Sequence, residues 1–276
     1  MEMRLSSRIL SIVSRILFFI LLVLTMLPFY LLIVNSFKNA AGIIKDPFSV
    51  PDVLYIINYE LALPQILRPM LNSAFVTVAI VVITCVLSLL AAYAFARYEF
   101  FLKETLYFGV IALLMIPGFV LLIPQFVQVV DLGLYDTYSA LIFVPAAYQV
   151  AMGTFLMRSA IEGMPKSLFE AAELAGASDL QILRHIVLPL IKPTVATVSI
   201  MTGLSAWNNY MWPLVASTSE TTRQVSVALN QLVFDAVQGK GVQLAGYVCA
   251  SLPIVIMFCL ASKSFVEGLS QGAVKG

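Results

Sequence analysis

Six long apolar runs, near residues 16–35, 71–96, 105–129, 138–158, 186–207 and 242–262, constrain this chain more than any other feature in it. Each is close to the roughly 20 residues that a helix needs to cross the hydrocarbon core of a bilayer. In hydrocarbon the backbone must satisfy its own polar groups, which leaves helices or closed barrels, and runs of this length select helices. Pro28, Pro117, Pro124, Pro145 and Pro253 lie inside the runs, where neighbouring helices can satisfy the carbonyls that proline frees. The expected fold is an all-α membrane protein with six transmembrane helices. Composition agrees: 61% of the 276 residues are hydrophobic and 11% charged, against about 25% charged in soluble domains.

Lys and Arg set the orientation. With the N-terminus inside, the inner segments carry Arg4, Arg8, Arg15, Arg97, Lys103, Arg158, Lys166, Arg184, Lys263 and Lys275. The outer segments carry only Lys38, Lys45, Arg68, Arg223 and Lys240, with Lys192 counted as intramembrane. This asymmetry predicts that both termini are cytoplasmic. The first run is too long for a signal-peptide core and no small-residue cleavage site follows it, so it reads as a retained span.

The runs offer little chemistry. Cys85, Cys249 and Cys259 have no pairing or metal spacing, and free cysteines in such segments behave as small packing residues. His185 is the sole histidine, and no nucleophile–base or metal-ligand motif accompanies it. No catalytic residue and no metal site is expected, and without a basic run neither is a nucleic-acid partner. No Asp or Glu falls in the middle of a run, which argues against a proton relay. Gly239-Lys240 is followed by glycine rather than Ser or Thr, so there is no phosphate-binding loop. If the chain moves solute uphill, another subunit supplies the energy. Polar side chains in or beside the runs include Asn72, Thr77, Gln125, Gln128, Tyr148, Gln149, Thr154, Ser205, Asn208 and Asn209, which suit either a solute path or ordinary interhelical hydrogen bonds.

One polar interruption stands out, from Pro165 to Pro193. It reads as two short helices hinged at Gly176, where a helix C-terminus favours a left-handed residue. Ser167 precedes Glu170 by three residues, and Ser178 precedes Gln181 by three, both with capping-box spacing. Leu168, Ala171, Ala172 and Ala175 fall on one face of the first helix. The acids Glu162, Glu170, Glu173 and Asp179 outnumber Lys166 and Arg184. A helix lying on an anionic leaflet would be Lys/Arg-rich instead, so this peg is expected to dock on protein.

The segment Glu170-Ala171-Ala172, with Gly176-Ala177 and then Leu188-Pro189-Leu190 and Pro193, resembles the EAA loop of ATP-binding-cassette (ABC) importer permeases. Leu71-Asn72-Ser73, Met115-Ile116-Pro117-Gly118, Leu132-Gly133-Leu134, Asp136-Thr137 and Trp207-Asn208 through Tyr210 to Leu214 extend the likeness. Gly272-Ala273-Val274-Lys275-Gly276 is similar to the tail of the MalG-like permeases of carbohydrate importers. Ala175 stands where the family usually has Asp.

The resemblance implies a multi-pass permease subunit in a bacterial cytoplasmic membrane, organised as 1–70 (first span and loop), 71–262 (transmembrane core, with the EAA loop at 162–193) and 263–276 (tail). It implies a second, non-identical permease subunit, two ABC ATPase subunits that carry the ATP and Mg, and an extracytoplasmic solute-binding protein. This chain itself would hold no cofactor and meet only lipid and protein. Glu170, Ala171, Ala172, Gly176, Ala177 and Pro189 would couple to the ATPase, and Gly272, Lys275 and Gly276 would contact it. Pro117, Gly118, Gln125, Asn208 and Tyr210 are candidates for the solute path or gate. The implied solute is a sugar or oligosaccharide; glycerol phosphate or a polyamine is the nearest alternative, and a non-transporting scaffold a more distant one.

Overall fold

The computed structural model describes residues 2–232 and 239–273, with side chains described for 11–232 and 239–259. Among the described residues the chain is helical, with no strand. In order, the first elements are α1 (Glu2–Ser36), α2 (Ala40–Lys45), α3 (Ile57–Arg97) and α4 (Lys103–Ala112). Two 3₁₀ turns, Leu113–Met115 and Gly118–Leu121, lead into α5 (Leu122–Asp131), followed by α6 (Tyr138–Glu162). Next come α7 (Lys166–Leu174), α8 (Asp179–Ile182), a π turn (Leu183–Val187) and α9 (Leu188–Leu190). The chain then continues through α10 (Lys192–Trp207), α11 (Met211–Ala216), α12 (Val225–Gln231) and α13 (Gly239–Ala273).

Among the described residues, four helices have the length and apolarity to cross a membrane: Ser11–Ser36, Ile57–Arg97, Tyr138–Glu162 and Gly239–Cys259. The third and fifth expected spans are not single straight helices. Lys103–Met115 and Gly118–Asp131 meet at 93°, and Asp179–Leu190 and Lys192–Trp207 at 77°. The first bend follows from Pro117, which has no N–H to continue the ladder. Ile116 before it is extended (φ −82°, ψ 117°), as steric contact with the proline ring demands. At the second bend Pro189 lacks an N–H and its ring would strike the carbonyl of the preceding turn. The backbone widens there into the π turn, with the Leu188 N–H reaching Leu183 O. Pro193 follows at once in the first turn of α10.

Other boundaries also moved. α3 starts at Ile57 rather than near 71, because Glu60, Pro64, Gln65, Arg68 and Pro69 made its first turns read as loop. Asn72 and Ser73 therefore lie within the helix and do not open it. The region 208–241, between the fifth and sixth apolar runs, contains α11 and α12. α13 runs to Ala273, so the expected tail begins as a continuation of that helix.

The chain divides into two compact units, Met1–Leu67 with Leu229–Ser251 and Arg68–Ala228 with Leu252–Gly276. In the first, Asn58 Nδ2 donates to Ser36 O and Lys38 O at 2.8 and 2.9 Å. The buried Lys38 ammonium donates to Asp46 O at 2.7 Å, and Ala62, Val242 and Ala245 pack together. Among its described residues the second unit holds two apolar clusters. One joins Val76, Ile80, Val129, Leu141, Ala146 and Trp212; the other joins Ala92, Tyr93, Met157, Ile161, Phe169, Ile182, Val187 and Val198. α6 crosses α3 closely at Gly153, where a Cβ would lie 2.3 Å from Ser88 Oγ. Small residues permit such crossings between membrane helices.

Asp136, in the turn before α6, closes one end of this unit. Its φ of +58° is a left-handed conformation that Asp tolerates through local hydrogen bonding. The carboxylate accepts from Thr218 N at 3.1 Å, Ser219 N at 3.2 Å and Thr222 Oγ1 at 2.6 Å. Burial pushes the Asp136 carboxyl up, but the Thr222 hydroxyl and the Ser219 and Thr218 N–H groups outweigh it and hold it below its ordinary value. The ionised form is thus the one the fold stabilises. Asp136→Ala should cost on the order of 1–2 kcal/mol, read as a lowered unfolding midpoint of the purified protein in detergent. A folded pKa below the unfolded one gives stability that is complete above about pH 3.9 and lost as pH falls through the lower folded value. The variant should therefore lose its deficit against wild type only in acid.

Candidate functional site

Two features of the second unit can act on something outside the chain: the peg formed by α7 and α8, and a cavity beside the first bend.

Pro165 occupies the N-cap position of α7, and Leu168 N bonds to Pro165 O at 3.2 Å. Ser167 is therefore already inside the helix, and the capping box expected between Ser167 and Glu170 does not form. The second expected box does: Ser178 N–H donates to Gln181 Oε1 at 2.8 Å. Between the helices Gly176 takes φ +75°, its N–H reaches Glu173 O at 2.9 Å, and the Ala177 N–H reaches Ala172 O at 3.0 Å. This is a Schellman motif, which satisfies carbonyls at the end of α7. A Cβ at Gly176 would meet nothing within 4 Å, so the requirement for glycine there is conformational, not steric. The hinge has one backbone geometry, and the peg holds its shape by itself.

The small-residue face of α7 is, apart from Ala172, turned outward, and a different face is seated on the fold. Phe169 is the buried anchor, with Ala172 and Ala177 packed beside the same cluster. Leu168, Ala171 and Ala175 stay exposed, together with Glu170, Gly176 and Pro189. Leu174 is 91% and Leu180 71% exposed, an unusual placing for two leucines on a polar peg and one that suits contact with protein. Ala175 makes a backbone bond to Ala171 O at 3.1 Å. α3 grips the other side. Arg97 pairs with Glu173 and lies over the Phe169 ring at 4.1 Å, while Tyr93 donates to Asp179 Oδ1 at 3.1 Å. Sequence reasoning missed Arg97, Phe169 and Tyr93. The available signal was Phe169 itself, the only aromatic residue between Pro165 and Pro193.

The cavity, of about 280 Å³, is lined by Gly118, Phe119, Leu122, Gln125, Val144, Pro145, Tyr148, Gln149, Ser205, Asn209, Met211 and Trp212. Pro117 creates it: the bend turns the Gly118–Leu121 segment aside and opens a gap against α6 and the end of α10. Gln149 Nε2 donates to Ser205 Oγ at 2.6 Å across the cavity. Trp212 is held by its indole N–H to Ala140 O at 3.0 Å. Of the expected solute-path residues, Gly118 and Gln125 line this space, whereas Pro117, Asn208 and Tyr210 lie outside its lining. Asn208 instead donates to Leu204 O at 2.9 Å, and Tyr210 stands at the N-cap position of α11 without a side-chain capping bond. No charged side chain lines the cavity. Gly272 falls in the last turn of α13; Lys275 and Gly276 lie outside the described residues. Among the described residues, no three His, Cys, Asp or Glu side chains come together to hold a metal ion.

Comparison with known proteins fits this picture. Residues 84–273 match the family described as the binding-protein-dependent transport system inner membrane component. The chain is 35% identical over 205 residues to the arabinooligosaccharides transport system permease protein AraQ of Halalkalibacterium halodurans, covering 74% of this chain and 73% of that one. It is 30% identical over 256 residues to the melibiose/raffinose/stachyose import permease protein MelC of Bacillus subtilis, covering 91% of each. A bacterial ABC transporter involved in import of the acidic polysaccharide alginate superposes with a TM-score of 0.84 at 25% identity, over 94% of this chain and 98% of that one. The match covers both bends, the cavity and the peg, and its relatives are transport subunits rather than enzymes. The chain belongs to the inner-membrane permease family of binding-protein-dependent ABC importers.

Proposed function

We propose that this permease is one of two non-identical membrane subunits of an ATP-driven importer for neutral sugars or oligosaccharides. Each bent helix pair then counts as one span, giving six, with both termini in the cytoplasm as the Lys/Arg asymmetry favours. The peg within 162–193 is the EAA loop and faces the cytoplasm. Two ABC ATPase subunits bind ATP and Mg, and an extracytoplasmic binding protein delivers the solute. Closure of the ATPases pushes the peg, and the attached helices move between inward- and outward-facing arrangements.

The observation that carries the coupling reading is the contrast between the two sides of the peg. One side is locked to α3 and α6 by Phe169, Ala172 and Ile182; the other presents Glu170, Ala171, Leu174 and Leu180 to a partner. A push on the second side moves the helices held by the first. Driving a two-state pore from 1:99 to 99:1 takes about 5.5 kcal/mol of differential binding, which a peg with a fixed hinge can deliver. Glu170→Lys changes only the exposed face. Gly176→Val forces a β-branched residue to φ +75°, at a cost of about 1–2 kcal/mol. Both variants should reach the membrane in normal amount and lose uptake; normal uptake by both would remove the coupling assignment. The end of the chain, Gly272 to Gly276, is proposed to reach the ATPase subunits, so deleting 272–276 should lower transport-coupled ATP hydrolysis. Unchanged hydrolysis would leave that segment without this role.

Solute class rests on the cavity. Gln125, Tyr148, Gln149, Ser205 and Asn209 offer donors and acceptors, and Phe119 and Trp212 offer ring faces, with no Lys, Arg, Asp or Glu. Hydroxyl-rich neutral sugars match that set. A phosphate ester would call for Arg or Lys, and a polyamine for carboxylates. The sugar names of the curated relatives support the same class. Uptake should therefore favour neutral tri- and tetrasaccharides over uronate oligomers and polyamines. Gln149→Leu should reduce neutral-sugar uptake at low concentration about fivefold, the worth of roughly one neutral hydrogen bond. Preferential uptake of a charged solute would overturn the assignment.

A further inference from the structure

The last turn of α3 holds both helices of the peg at once. Arg97, its final residue, pairs with Glu173 of α7. The same guanidinium stacks at 4.1 Å on Phe169, the buried anchor of α7. Tyr93, four residues earlier and so on the same helix face, donates to Asp179 at the start of α8 at 3.1 Å. The Arg97 Nε is buried without a hydrogen-bond partner, so the guanidinium is positioned by its ring contact, the Glu173 carboxylate and the Tyr93 hydroxyl beside it. That is an exacting arrangement. A planar, delocalised cation can lie flat on a ring while its edge meets a carboxylate; a lysine ammonium is a point charge that cannot serve both in one fixed orientation.

We propose that Arg97 is a positioning residue for energy coupling: it ties the displacement of the peg to the end of α3, and through Val76 and Ile80 of α3 to Trp212, which lines the cavity. The inference rests on the reading of the peg as the ATPase-coupling element. Phe169 alone would seat α7 by apolar contact and leave it free to slide. Arg97, with Tyr93 beside it, fixes α7 and α8 to one helix turn, so that a push on either is felt by α3 as a rigid movement. Glu173 lies one helical turn beyond Glu170 and Phe169, and its contact takes hold of the end of α7 nearest the hinge.

The test uses the complete importer, with both permease subunits, the ATPases and the binding protein, in proteoliposomes with ATP and Mg. Radiolabelled neutral tri- and tetrasaccharides serve as the transport probe. Arg97→Lys and Arg97→Gln should leave the ATPase subunits associated and hydrolysing ATP, yet lower solute transported per ATP by about two- to thirtyfold, the range for residues along a coupling network. With the native cysteines replaced, spin labels at Phe101→Cys and Lys166→Cys, both exposed, should keep one narrow distance with and without ATP when Arg97 is present. That distance should broaden in Arg97→Gln. The charge swap Arg97→Glu with Glu173→Arg should recover part of the lost ratio relative to Arg97→Glu alone. An unchanged transport-to-hydrolysis ratio in both single variants overturns the inference, as does loss of the ATPase subunits from the complex, which would make Arg97 part of the seat alone. Normal uptake by Gly176→Val and Glu170→Lys would instead overturn the underlying reading of the peg. The two failures are thus distinguishable.

Discussion

A lipid-immersed backbone has no water to bond, and the architecture of this permease follows from that. Helix is the default because it satisfies every interior N–H and C=O locally. Departures from helix carry a cost, and they fall at residues that force them. Pro117 breaks the ladder, Ile116 becomes extended, and the next segment turns through 93°. The opened space is the cavity, to which Gly118 contributes a wall. Irregular backbone at membrane depth is tolerated where protein covers it or where it lines a cavity, and the first bend meets the second condition. The second bend is handled differently. The chain absorbs Pro189 by widening into a π turn, whose Leu183 and Val187 are packed in the cluster that also seats Phe169. One constraint thus gives an open cavity at one bend and a packed joint at the other.

The same reasoning explains where charge can go. Apart from Arg223 with Glu220 in the turn before α12, the ion pairs of the described second unit collect at helix ends: Arg97 with Glu173, Arg158 with Glu104 and Glu162, and Lys103 with Glu99. Arg158 is the most deeply buried of these cations, and it has two carboxylates and the face of Tyr107 at 3.7 Å. Buried cations require such compensation. Together these pairs brace the ends of α3, α4 and α6 around the peg, leaving the cavity free of formal charge. The charged side chains thus gather around the peg, while the cavity is lined by uncharged ones.

Several parts of this arrangement were legible in the sequence because they are local. The apolar runs, the left-handed Gly176 and the Ser178–Gln181 box each depend on residues within a few positions of one another. The Ser167 box was misread because the sequence pattern does not say that Pro165 has already started the helix. The start of α3 was hidden by Glu60, Pro64 and Pro69, which suggest loop in isolation and are carried by a helix whose later turns are strongly apolar. The bends were legible only as prolines; their angles depend on what packs against the freed backbone. Gln149 and Ser205 stood in the inventory of polar side chains, yet their meeting across 56 positions was not readable from spacing. Arg97 was counted for its sign in the orientation argument. Its contact with Phe169 and Glu173, more than seventy positions away, is set by tertiary packing.

Ala175 brings these lines together. The family pattern usually has Asp at this position, and an acid there could have completed a cap or an ionic contact at the hinge. In this chain the hinge is closed without it: Gly176 and Ala177 satisfy the α7 carbonyls through the Schellman bonds, and Gln181 satisfies the Ser178 N–H. The ionic contact is supplied two positions earlier, by Glu173 to Arg97. Ala175 is exposed, and its own N–H is bonded to Ala171 O, so no group there is left wanting a carboxylate. The geometry of the hinge therefore resides in backbone bonds around one glycine, and its attachment in Phe169, Ile182, Arg97 and Tyr93, none of which calls for an acid at position 175.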